Sequence, residues 1–380
     1  MRIAIIGAGP AGLYVGYLLK RAFPEAYVRI SEKNPENVTW GFGVVFSDAA
    51  LDFLREDDPV THQAIVPHMQ RWRNLTLDIK GACIELDGIG FSSIARLHLL
   101  QLLTARARSV GVDVCFNTMD DGRHGSFDLV IGADGVNSVV REQADFGTTV
   151  SQLPNKFIWY GCDRTFDTLT QSFRETRLGD FNAHHYRYSN TESTFIIETD
   201  ANVWARANFA KMSAQETIRV CEELFADVLQ GARLKANHSV WRNFPQLHNE
   251  RWHNGKYVLI GDSLHTAHFS IGSGTRLALE DAISLEKAIQ QSDGNIPSAL
   301  VSFEASRRPI VDKIVAAAQR SAQWYESFSA HMKLPPWKMA ESYVRRAGRI
   351  DDGRLRAMSP QFMAGLDRYK QLAKESFVEK

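Results

Sequence analysis

The stretch MRIAIIGAGPAGLY, Met1 to Tyr14, decides the fold of this chain. The apolar run Ile3 to Ile6 is typical of a strand that is buried on both faces, and a helical series of apolar residues follows the glycines. Gly7, Gly9 and Gly12 form the pattern G-x-G-x-x-G in the strand, turn and helix setting that it requires. The first glycine permits a tight turn, the second lets backbone amides approach a pyrophosphate, and the third lets the helix pack on the strand. The stretch therefore predicts a Rossmann-like domain that binds a dinucleotide.

An acidic residue after the second predicted strand supports this prediction. The strand Ala26 to Ile30 is followed by Glu32, 20 residues after Gly12. An acidic side chain at this spacing accepts hydrogen bonds from an adenosine ribose. We therefore expect Glu32 to contact the ribose of the dinucleotide.

Composition narrows the classes of protein to consider. The 380 residues are 44% hydrophobic and 23% charged, which is enough for two globular domains. Lys+Arg 44 balances Asp+Glu 44, so we expect neither nucleic acid nor an acidic membrane surface as a partner. No segment reaches the ~18 to 20 consecutive apolar residues of a membrane span. These properties predict a soluble protein without a membrane span.

Cysteine usage indicates a reducing compartment and no metal site. The four cysteines are widely spaced, form no C-x-x-C pair and do not group with histidines: Cys83, Cys115, Cys162 and Cys221. Such spacing suggests neither a disulfide framework nor a zinc site. We expect a cytoplasmic protein.

Two later segments repeat the pattern of a strand followed by a small polar turn. Asp128 to Ser138 is an apolar strand that ends in Asp-Gly, and Tyr257 to Ile260 is a strand that leads into Gly261-Asp262, a polar loop and a helix from about Gly274. Taken alone, the first segment is better explained as a strand before a helix that Ser138 caps.

In order and spacing, the three segments resemble the three fingerprints of the single-component flavoprotein aromatic hydroxylases, the group typified by para-hydroxybenzoate hydroxylase. The resemblance covers Met1 to about Ile289. It implies that the dinucleotide is FAD, that NADH or NADPH is a transient electron donor and that O2 is the co-substrate. Asp262 would bond a ribitol hydroxyl and Arg96 would reach the pyrophosphate, although a solvated helix position also explains Arg96. The implied cofactor-binding residues are Gly7, Gly9, Ala11, Gly12, Glu32, Lys33, Val44, Arg96, Asp134, Gly261, Asp262, Gly272, Gly274 and Thr275.

The loop HTAHFSIGSGT, His265 to Thr275, departs from the wider group, because Phe269 stands where that group has proline. This form resembles a smaller branch that contains the salicylyl-CoA 5-hydroxylases, the 2-aminobenzoyl-CoA monooxygenases and the tryptophan hydroxylase of violacein synthesis. The stretch WGFGVVFSD, Trp40 to Asp48, is similar to the same branch. The tail segment Ala347 to Ile350, AGRI, resembles the C-terminal part of the aryl-CoA hydroxylases, and no such match to the tryptophan enzyme was found.

The loop can be explained in physical terms as a flavin cradle. Gly272, Ser273 and Gly274 let the backbone approach a flat ring, and the following helix directs its free amides at the pyrimidine edge of that ring. This edge is negative in the reduced flavin, so the helix N-terminus stabilises it by up to ~1 kcal/mol, or somewhat more when buried.

The resemblance implies that the reduced flavin and O2 form a flavin hydroperoxide that hydroxylates an electron-rich aromatic ring. The expected substrate is an aryl-CoA thioester such as salicylyl-CoA, hydroxylated at position 5, which is para to the donor group. A free aromatic acid or an indole compound is the alternative substrate. A flavin dehydrogenase and a non-catalytic FAD-binding protein are alternatives from other classes, because the motifs specify the cofactor more tightly than the reaction.

Candidates for the base that contacts the phenol come from a strand and from the loop. His184 and Tyr186 share one face if Phe181 to Tyr188 is a strand, because side chains alternate. His268 in the loop is a further candidate, and a purely structural role is open for each histidine. Residues expected to line the substrate site are Trp40, Tyr160 and Phe269.

The predicted fold class is α/β: a Rossmann-like FAD-binding domain with an inserted antiparallel-sheet substrate domain and a C-terminal helical region. The FAD-binding domain is expected at 1–74, 90–149 and 254–302, the substrate domain at 75–89 and 150–253, and the helical region at 303–380. The protein is expected to be a monomer or a homodimer. Arg71 to Arg73 and Arg345-Arg346 could meet the phosphates of coenzyme A or form a solvated surface.

Overall fold

The computed structural model describes residues 1–47, 51–348 and 350–378. Two residues of the motifs quoted above, Asp48 and Arg349, lie outside the described residues.

Strands and helices alternate along the chain. The strands of the described residues are β1 (Arg2–Ile6), β2 (Tyr27–Ser31), β3 (Gly43–Ser47), β4 (Gln70–Trp72), β5 (Leu75–Ile79), β6 (Ala82–Leu86), β7 (Phe91–Ala95), β8 (Asp113–Cys115), β9 (Leu129–Gly132), β10 (Thr148–Cys162), β11 (Leu169–Thr176), β12 (Gly179–Arg187), β13 (Ser193–Thr199), β14 (Leu234–Lys235), β15 (Arg242–Asn249), β16 (His253–Asn254) and β17 (Tyr257–Leu259). The helices are α1 (Pro10–Ala22), α2 (Asp52–Asp57), α3 (Pro59–Ile65), α4 (Arg96–Ser109), α5 (Ala201–Arg206), α6 (Ala214–Leu224), α7 (Ala226–Leu229), α8 (Gly274–Gln291), α9 (Ile296–Glu326), α10 (Phe328–His331), α11 (Pro336–Arg345), α12 (Asp352–Met358) and α13 (Pro360–Val378).

The first sheet has six strands in the order β16-β17-β9-β1-β2-β8, all parallel to their neighbours except in the β16-β17 hairpin. Its central strand β1 is apolar and buried, as the sequence predicts, and α1 packs against both α4 and α8. The carboxyl ends of β1, β9 and β17 lie at one edge of the sheet, because the strands are parallel. The three polar turns that the sequence singles out therefore meet at this edge, and the predicted Rossmann-like domain is confirmed.

The second sheet has eight strands in the order β14-β10-β13-β12-β11-β5-β6, with β15 pairing beside β10. Its pairs are antiparallel except β5 with β11, which are parallel. The sheet is antiparallel as predicted apart from this one pair, because β5 enters from an earlier part of the chain and not by a hairpin with β11. One face packs on α5, α6 and α7 around Phe181, Phe195 and Phe225. The other face packs in part on the C-terminal helices and in part lines the cavity described below. A small antiparallel sheet, β3-β7-β4, lies apart from both.

The C-terminal helices connect the two sheets. The 31-residue helix α9 begins in the core of the first sheet at Phe303 and ends in the core of the second at Trp324 and Tyr325. Helices α11 and α13 pack on β6. Pro336 is in the first turn of α11, where a missing amide donor costs nothing, so the Pro335-Pro336 pair starts this helix.

A buried carboxylate ties three elements together. Asp281 in α8 is fully buried and accepts hydrogen bonds from Gly261 N (3.0 Å), His265 Nε2 (2.8 Å) and Arg307 Nε of α9 (2.9 Å). Burial alone would raise the pKa of Asp281, but His265 and Arg307 outweigh burial and lower the pKa below its usual value. The carboxylate therefore stays ionised and holds the Gly261 turn and α9 in place.

We expect Asp281→Ala to lower the free energy of unfolding by about 3 to 5 kcal/mol, because the substitution leaves the buried Arg307 guanidinium without this carboxylate. Denaturant titration of the variant measures this loss. The control Asp312→Ala removes an exposed carboxylate from α9 and should change stability by less than about 0.5 kcal/mol. Since the folded pKa of Asp281 is depressed, the stabilisation is present above the unfolded value of about 3.9 and is lost as pH falls below it. Equal stability of the two variants would contradict this account.

Candidate active site

A cavity of about 690 Å³ is lined by residues of both large sheets. One end, called here the nucleotide end, is formed by the turns after β1, β9 and β17. The other end, called here the arene end, is formed by the free face of the second sheet and by the loop before α8. The cavity is lined by Gly9, Ala11 and Asp262 at the nucleotide end and by His184 and Phe269 at the arene end.

The glycines of the first turn meet the requirements that the sequence predicts for them. An added Cβ at Gly12 would lie 2.0 Å from the carbonyl oxygen of Gly7, so only glycine lets α1 start so close to the turn. Gly7 has a φ of 101°, which favours glycine. Gly9, by contrast, has space and lines the cavity, and α1 begins directly after it with no side chain capping its first amides. These amides are available for an anion.

Glu32 and Lys33 differ from the sequence expectation in their contacts. The Glu32 carboxylate accepts hydrogen bonds from Ala8 N (2.9 Å) and from Asn34 N (2.9 Å). It therefore supports the glycine turn, and its contact with a ribose stays a prediction. Lys33 is exposed and does not line the cavity.

The turn after β9 carries a carboxylate with an unused acceptor. Asp134 Oδ2 accepts from Val139 N at 2.7 Å, while its Oδ1 is buried and has no partner within the described part of the chain. Burial raises the pKa of Asp134, and such an oxygen favours a donor from a ligand. Ser138 accepts from Arg141 N (3.1 Å), but it precedes a three-residue 3-10 turn, so the alternative of a capped α-helix is wrong.

Asp262 and Arg96 line the same part of the cavity from two sides. Arg96 starts α4 and donates from Nε to Thr39 Oγ1 at 3.1 Å. Burial raises the pKa of Asp262, and the charges of His265 and Arg96 oppose that shift. The cavity position of Arg96 contradicts the alternative of a solvated helix residue.

The loop before α8 leaves a slot for a planar group. Gly272 has a φ of 60°, and an added Cβ at Gly274 would meet nothing within 4 Å. Helix α8 starts at Gly274 without a side-chain cap, and Thr275 and Val44 also line the cavity. Open backbone at Gly274, free amides of α1 and α8 and a cation at Arg96 together fit the ring and pyrophosphate of FAD, and Asp262 fits the ribitol. Asp134 itself does not line the cavity, so its contact with FAD stays a prediction.

The arene end holds two polar side chains side by side. His184 and Gln171 are cross-strand partners on β12 and β11, and both line the cavity. Gln171 Oε1 accepts from Tyr325 Oη at 3.1 Å, which leaves its amide nitrogen without a protein partner among residues 1–47, 51–348 and 350–378. His184 has no hydrogen-bond partner in the same residues, and burial lowers its pKa to about 3. It is a neutral acceptor at neutral pH.

Tyr186 lies on the same face as His184, as predicted, but its proton is already used. Its hydroxyl donates to the carbonyl oxygen of Gly43 at 2.9 Å, and burial raises its pKa above the usual value. Tyr186 therefore anchors the segment that carries Trp40, which lines the cavity. The structure gives it no role as a base.

Two of the predicted site residues lie behind the cavity. Tyr160 points into the core with Phe195, because the alternation of β10 turns Phe157 and Trp159 to the cavity and Tyr160 away from it. His268 is not among the lining residues, and its Nδ1 accepts from Ser270 N at 3.3 Å. Both predictions are corrected.

His268 supports the ring of Phe269 instead. The two rings are 4.1 Å apart, and the Phe269 ring lies 5.2 Å from that of His184. Phe269 lines the cavity and is placed to contact an aromatic ligand, as the sequence predicts.

Neither arginine pair offers a free cation at the arene end. Arg346 lines the cavity, but it donates to Ser270 O (3.0 Å) and Ser321 Oγ (3.0 Å) and so supports the loop. Arg345 pairs with Glu341 at 3.6 Å and also with Asp352. Arg71 and Arg73 are exposed and outside the lining, so they form the solvated surface that was the alternative interpretation.

Sequence reasoning missed Gln171 and a whole segment of the wall. Lining residues from this segment are Asn237, His238, Ser239, Val240, Arg242, Asn243, Phe244 and Pro245. They carry no recognisable pattern. Only the cross-strand pairing of Gln171 with a candidate base could have drawn attention to it, and that register is not visible in the sequence.

The described residues contain neither a membrane-spanning helix nor a cluster of metal-ligating side chains. No helix among them has the length and apolar character to cross a membrane. No group of three or more metal-ligating side chains was found in the same part of the chain. The four cysteines are free thiols.

Comparison with known proteins identifies the family. A family model described as FAD binding domain matches residues 89–318. Salicyloyl-CoA 5-hydroxylase of a Streptomyces species is 39% identical over 97% of this chain and 73% of its own length. A 3-hydroxy-4-methyl-anthranilyl-[aryl-carrier protein] 5-monooxygenase of Streptosporangium sibiricum is 35% identical over 92% of this chain and 95% of its own.

A third relative, protodeoxyviolaceinate monooxygenase of Chromobacterium violaceum, is 33% identical over 91% of this chain and 94% of its own, which agrees with the predicted relation to an enzyme of violacein synthesis. Among solved structures, a 2-methyl-3-hydroxypyridine-5-carboxylic acid oxygenase mutant has the same fold, with a TM-score of 0.73, 20% identity and coverage of 91% of this chain and 96% of its own. The chain therefore belongs to the FAD binding domain family, among its flavoprotein aromatic monooxygenases.

Proposed function

We propose that this monooxygenase hydroxylates an aromatic thioester that carries a hydroxyl or amino group ortho to the thioester, with salicylyl-CoA at position 5 as first choice. NADH or NADPH supplies the electrons and O2 the oxygen atom. The observation that carries the proposal is the cross-strand pair His184 and Gln171 at the arene end, with a ring acceptor and an amide donor that have no protein partner among the described residues.

Bound FAD, once reduced, would supply the oxygen-activating chemistry. The residues of this chain would hold it. The free amides of α1 and the Arg96 guanidinium would hold the pyrophosphate, and Asp262 would bind the ribitol. The first amides of α8, from Gly274, would hold the ring.

His184 and Gln171 would orient the substrate. The hydroxyl of the substrate donates to the neutral His184 ring, and the amide nitrogen of Gln171 donates to a substrate oxygen beside it. A ring held by its donor group presents the opposite, para carbon away from β12. Phe157, Ile196 and Phe269 line this end and keep water away from the reacting carbon.

His184 can also take the phenolic proton. Its lone pair is free because its pKa is about 3, and the proton moves to the ring nitrogen only as the phenol loses electron density to the forming C–O bond. Assistance of this kind contributes roughly 100-fold to 10,000-fold.

The charge of the cavity favours a thioester over a free acid. Cationic side chains among the described lining residues are Arg96, Arg242 and Arg346. Two of them are engaged elsewhere, Arg96 at the nucleotide end and Arg346 with the loop. A carboxylate next to the ring would be desolvated at this end without a cationic partner, which costs several kcal/mol. A thioester carries no charge and avoids this cost. Two relatives are named for acyl groups linked to CoA or a carrier protein.

We expect Gly274→Val to remove most of the bound FAD without destabilising the protein free of FAD. A Cβ at Gly274 meets no protein atom within 4 Å, so the added side chain occupies space that the flavin ring needs. Visible flavin absorbance per protein after saturation with FAD measures the first effect, and the melting temperature of the apoprotein measures the second. Gly125→Val is the control, since Gly125 also has open space but lies outside the cavity lining. Unchanged FAD content in Gly274→Val would rule out this cradle.

We expect the purified enzyme to oxidise NAD(P)H slowly alone and faster with salicylyl-CoA, which gains one oxygen atom at position 5. Free salicylate and tryptophan should show kcat/KM values more than about tenfold lower, because of the unpaired carboxylate. The assay measures NAD(P)H oxidation and identifies the products by mass. The substrates compared are salicylyl-CoA, 2-aminobenzoyl-CoA, free salicylate and tryptophan. Inert thioesters would overturn the substrate class. Rapid NAD(P)H oxidation without any oxygenated product would indicate a flavin dehydrogenase, and bound FAD without substrate-stimulated turnover a non-catalytic flavoprotein.

We expect His184→Gln to lower kcat about 100-fold while FAD content stays unchanged, since glutamine bonds the phenol but cannot take its proton. Rapid-mix kinetics with salicylyl-CoA measure the loss. The control His248→Gln changes an exposed histidine outside the lining and should keep full activity. Because the folded pKa of His184 is about 3, the unfolded chain binds its proton first as pH falls below about 6.5. The wild type should therefore lose stability below that pH more steeply than His184→Gln.

A further inference from the structure

We propose that the cavity opens at a mouth made by Trp40, His238, Val240 and Arg242, called here the cavity mouth, and that this mouth binds the phosphopantetheine arm of the substrate. Arg242 contacts the phosphate of the arm. This inference rests on the thioester part of the proposed function and adds the place where the carrier portion binds.

Exposure marks an opening of the cavity. All four residues line the same cavity as His184. Trp40 is 48% exposed and Val240 is 56% exposed, which is unusual for large apolar side chains that line an internal cavity. The Trp40 ring lies 4.2 Å from that of His238, so this contact closes one end of the mouth. The cavity reaches solvent beside the contact, where Val240 and Arg242 are exposed.

The mouth lies within reach of the arene end along a track of aromatic rings. The Phe269 ring is 5.2 Å from that of His184 and 5.9 Å from that of Phe244. Arg242 lies two residues before Phe244 on β15 and on the same face, about 7 Å further along the strand. An extended, uncharged pantetheine chain can follow this track outward from the ring.

Cavity size requires such an exit. A volume of about 690 Å³ is in the range that holds one drug-sized molecule. It has no room for FAD, the aromatic ring and a complete carrier. The carrier portion must therefore lie outside, and the thioester must pass through an opening.

Arg242 is the cation that this opening offers. Its guanidinium has a single long contact, from Nη2 to the carbonyl oxygen of His238 at 3.5 Å, and no carboxylate partner in the described part of the chain. A guanidinium in this state can bind a phosphate through two parallel hydrogen bonds. The mouth is also held in shape, because Asn237 Nδ2 donates to Thr39 O (2.8 Å) and to Gly41 O (3.0 Å) across it.

The shared chemistry is a phosphopantetheine thioester, which coenzyme A and a carrier protein both present. Salicylate is therefore supplied as four thioesters: of coenzyme A, of phosphopantetheine on an aryl carrier protein, of free phosphopantetheine, and of pantetheine without phosphate. Steady-state kinetics with each substrate are compared for the wild type, Arg242→Ala and Arg242→Lys. Arg73→Ala is the control, since it removes an exposed arginine that does not line the cavity.

We expect Arg242→Ala to raise KM about tenfold for the three phosphorylated thioesters and to leave KM for the pantetheine thioester, KM for NAD(P)H, kcat and FAD content within about twofold of the wild type. Arg242→Lys should recover part of the loss, because it keeps the charge but not the paired donors. The higher kcat/KM of coenzyme A or of carrier protein tells which source the wild type prefers.

A second pair of variants tests the same mouth by charge alone. Val240→Glu should raise KM for the phosphorylated thioesters more than the isosteric Val240→Gln does, and the difference should shrink at high salt. An unchanged KM in both Arg242→Ala and Val240→Glu overturns the inference, as does an equal rise for the pantetheine thioester or a rise in KM for NAD(P)H alone. If the wild type turns over no thioester, the proposed function fails before any variant is compared, so the two failures are distinguishable.

Discussion

The site depends on one buried carboxylate, that of Asp281. It accepts hydrogen bonds from the backbone of Gly261, from His265 and from Arg307, and it is fully buried. A buried charge is tolerated only when its partners are well placed, so the turn after β17, the loop and helix α9 must adopt one arrangement together. The position of Asp262, one residue after Gly261, follows from this. His265 therefore has a structural role: its hydrogen bond to Asp281 holds the loop in place.

Local backbone constraints explain which predictions succeed. The contact that an added Cβ at Gly12 would make with Gly7 is a property of one turn, and the sequence pattern contains all of it. The shared face of His184 and Tyr186 also follows from strand alternation alone. The sequence does not show which alternate residues of β10 face the cavity, because the run Phe157 to Tyr160 is apolar on both faces of the strand. Nothing local says that Trp159 and not Tyr160 faces the cavity.

Strand pairing and loop conformation explain which site residues the sequence analysis missed or misassigned. Gln171 is a single polar residue in an ordinary strand, and it becomes part of the site only through its pairing with His184. Arg242 is likewise one of many arginines until the pairing of β10 with β15 places it opposite Phe157. His268 failed as a base because the loop turns its Nδ1 to a backbone amide. The sequence contains the residues, but the fold decides which of them meet.

The pairing of β11 with β12 has a consequence for how ring preference changes during evolution. Both polar groups of the arene end, Gln171 and His184, belong to one hairpin that spans Leu169 to Arg187. The proposed cofactor contacts come from other parts of the chain. Replacement of this single hairpin would exchange both proposed substrate contacts in register and leave the proposed flavin cradle intact. Specificity for a new aromatic ring could thus be acquired by exchange of one contiguous segment, while FAD binding is retained.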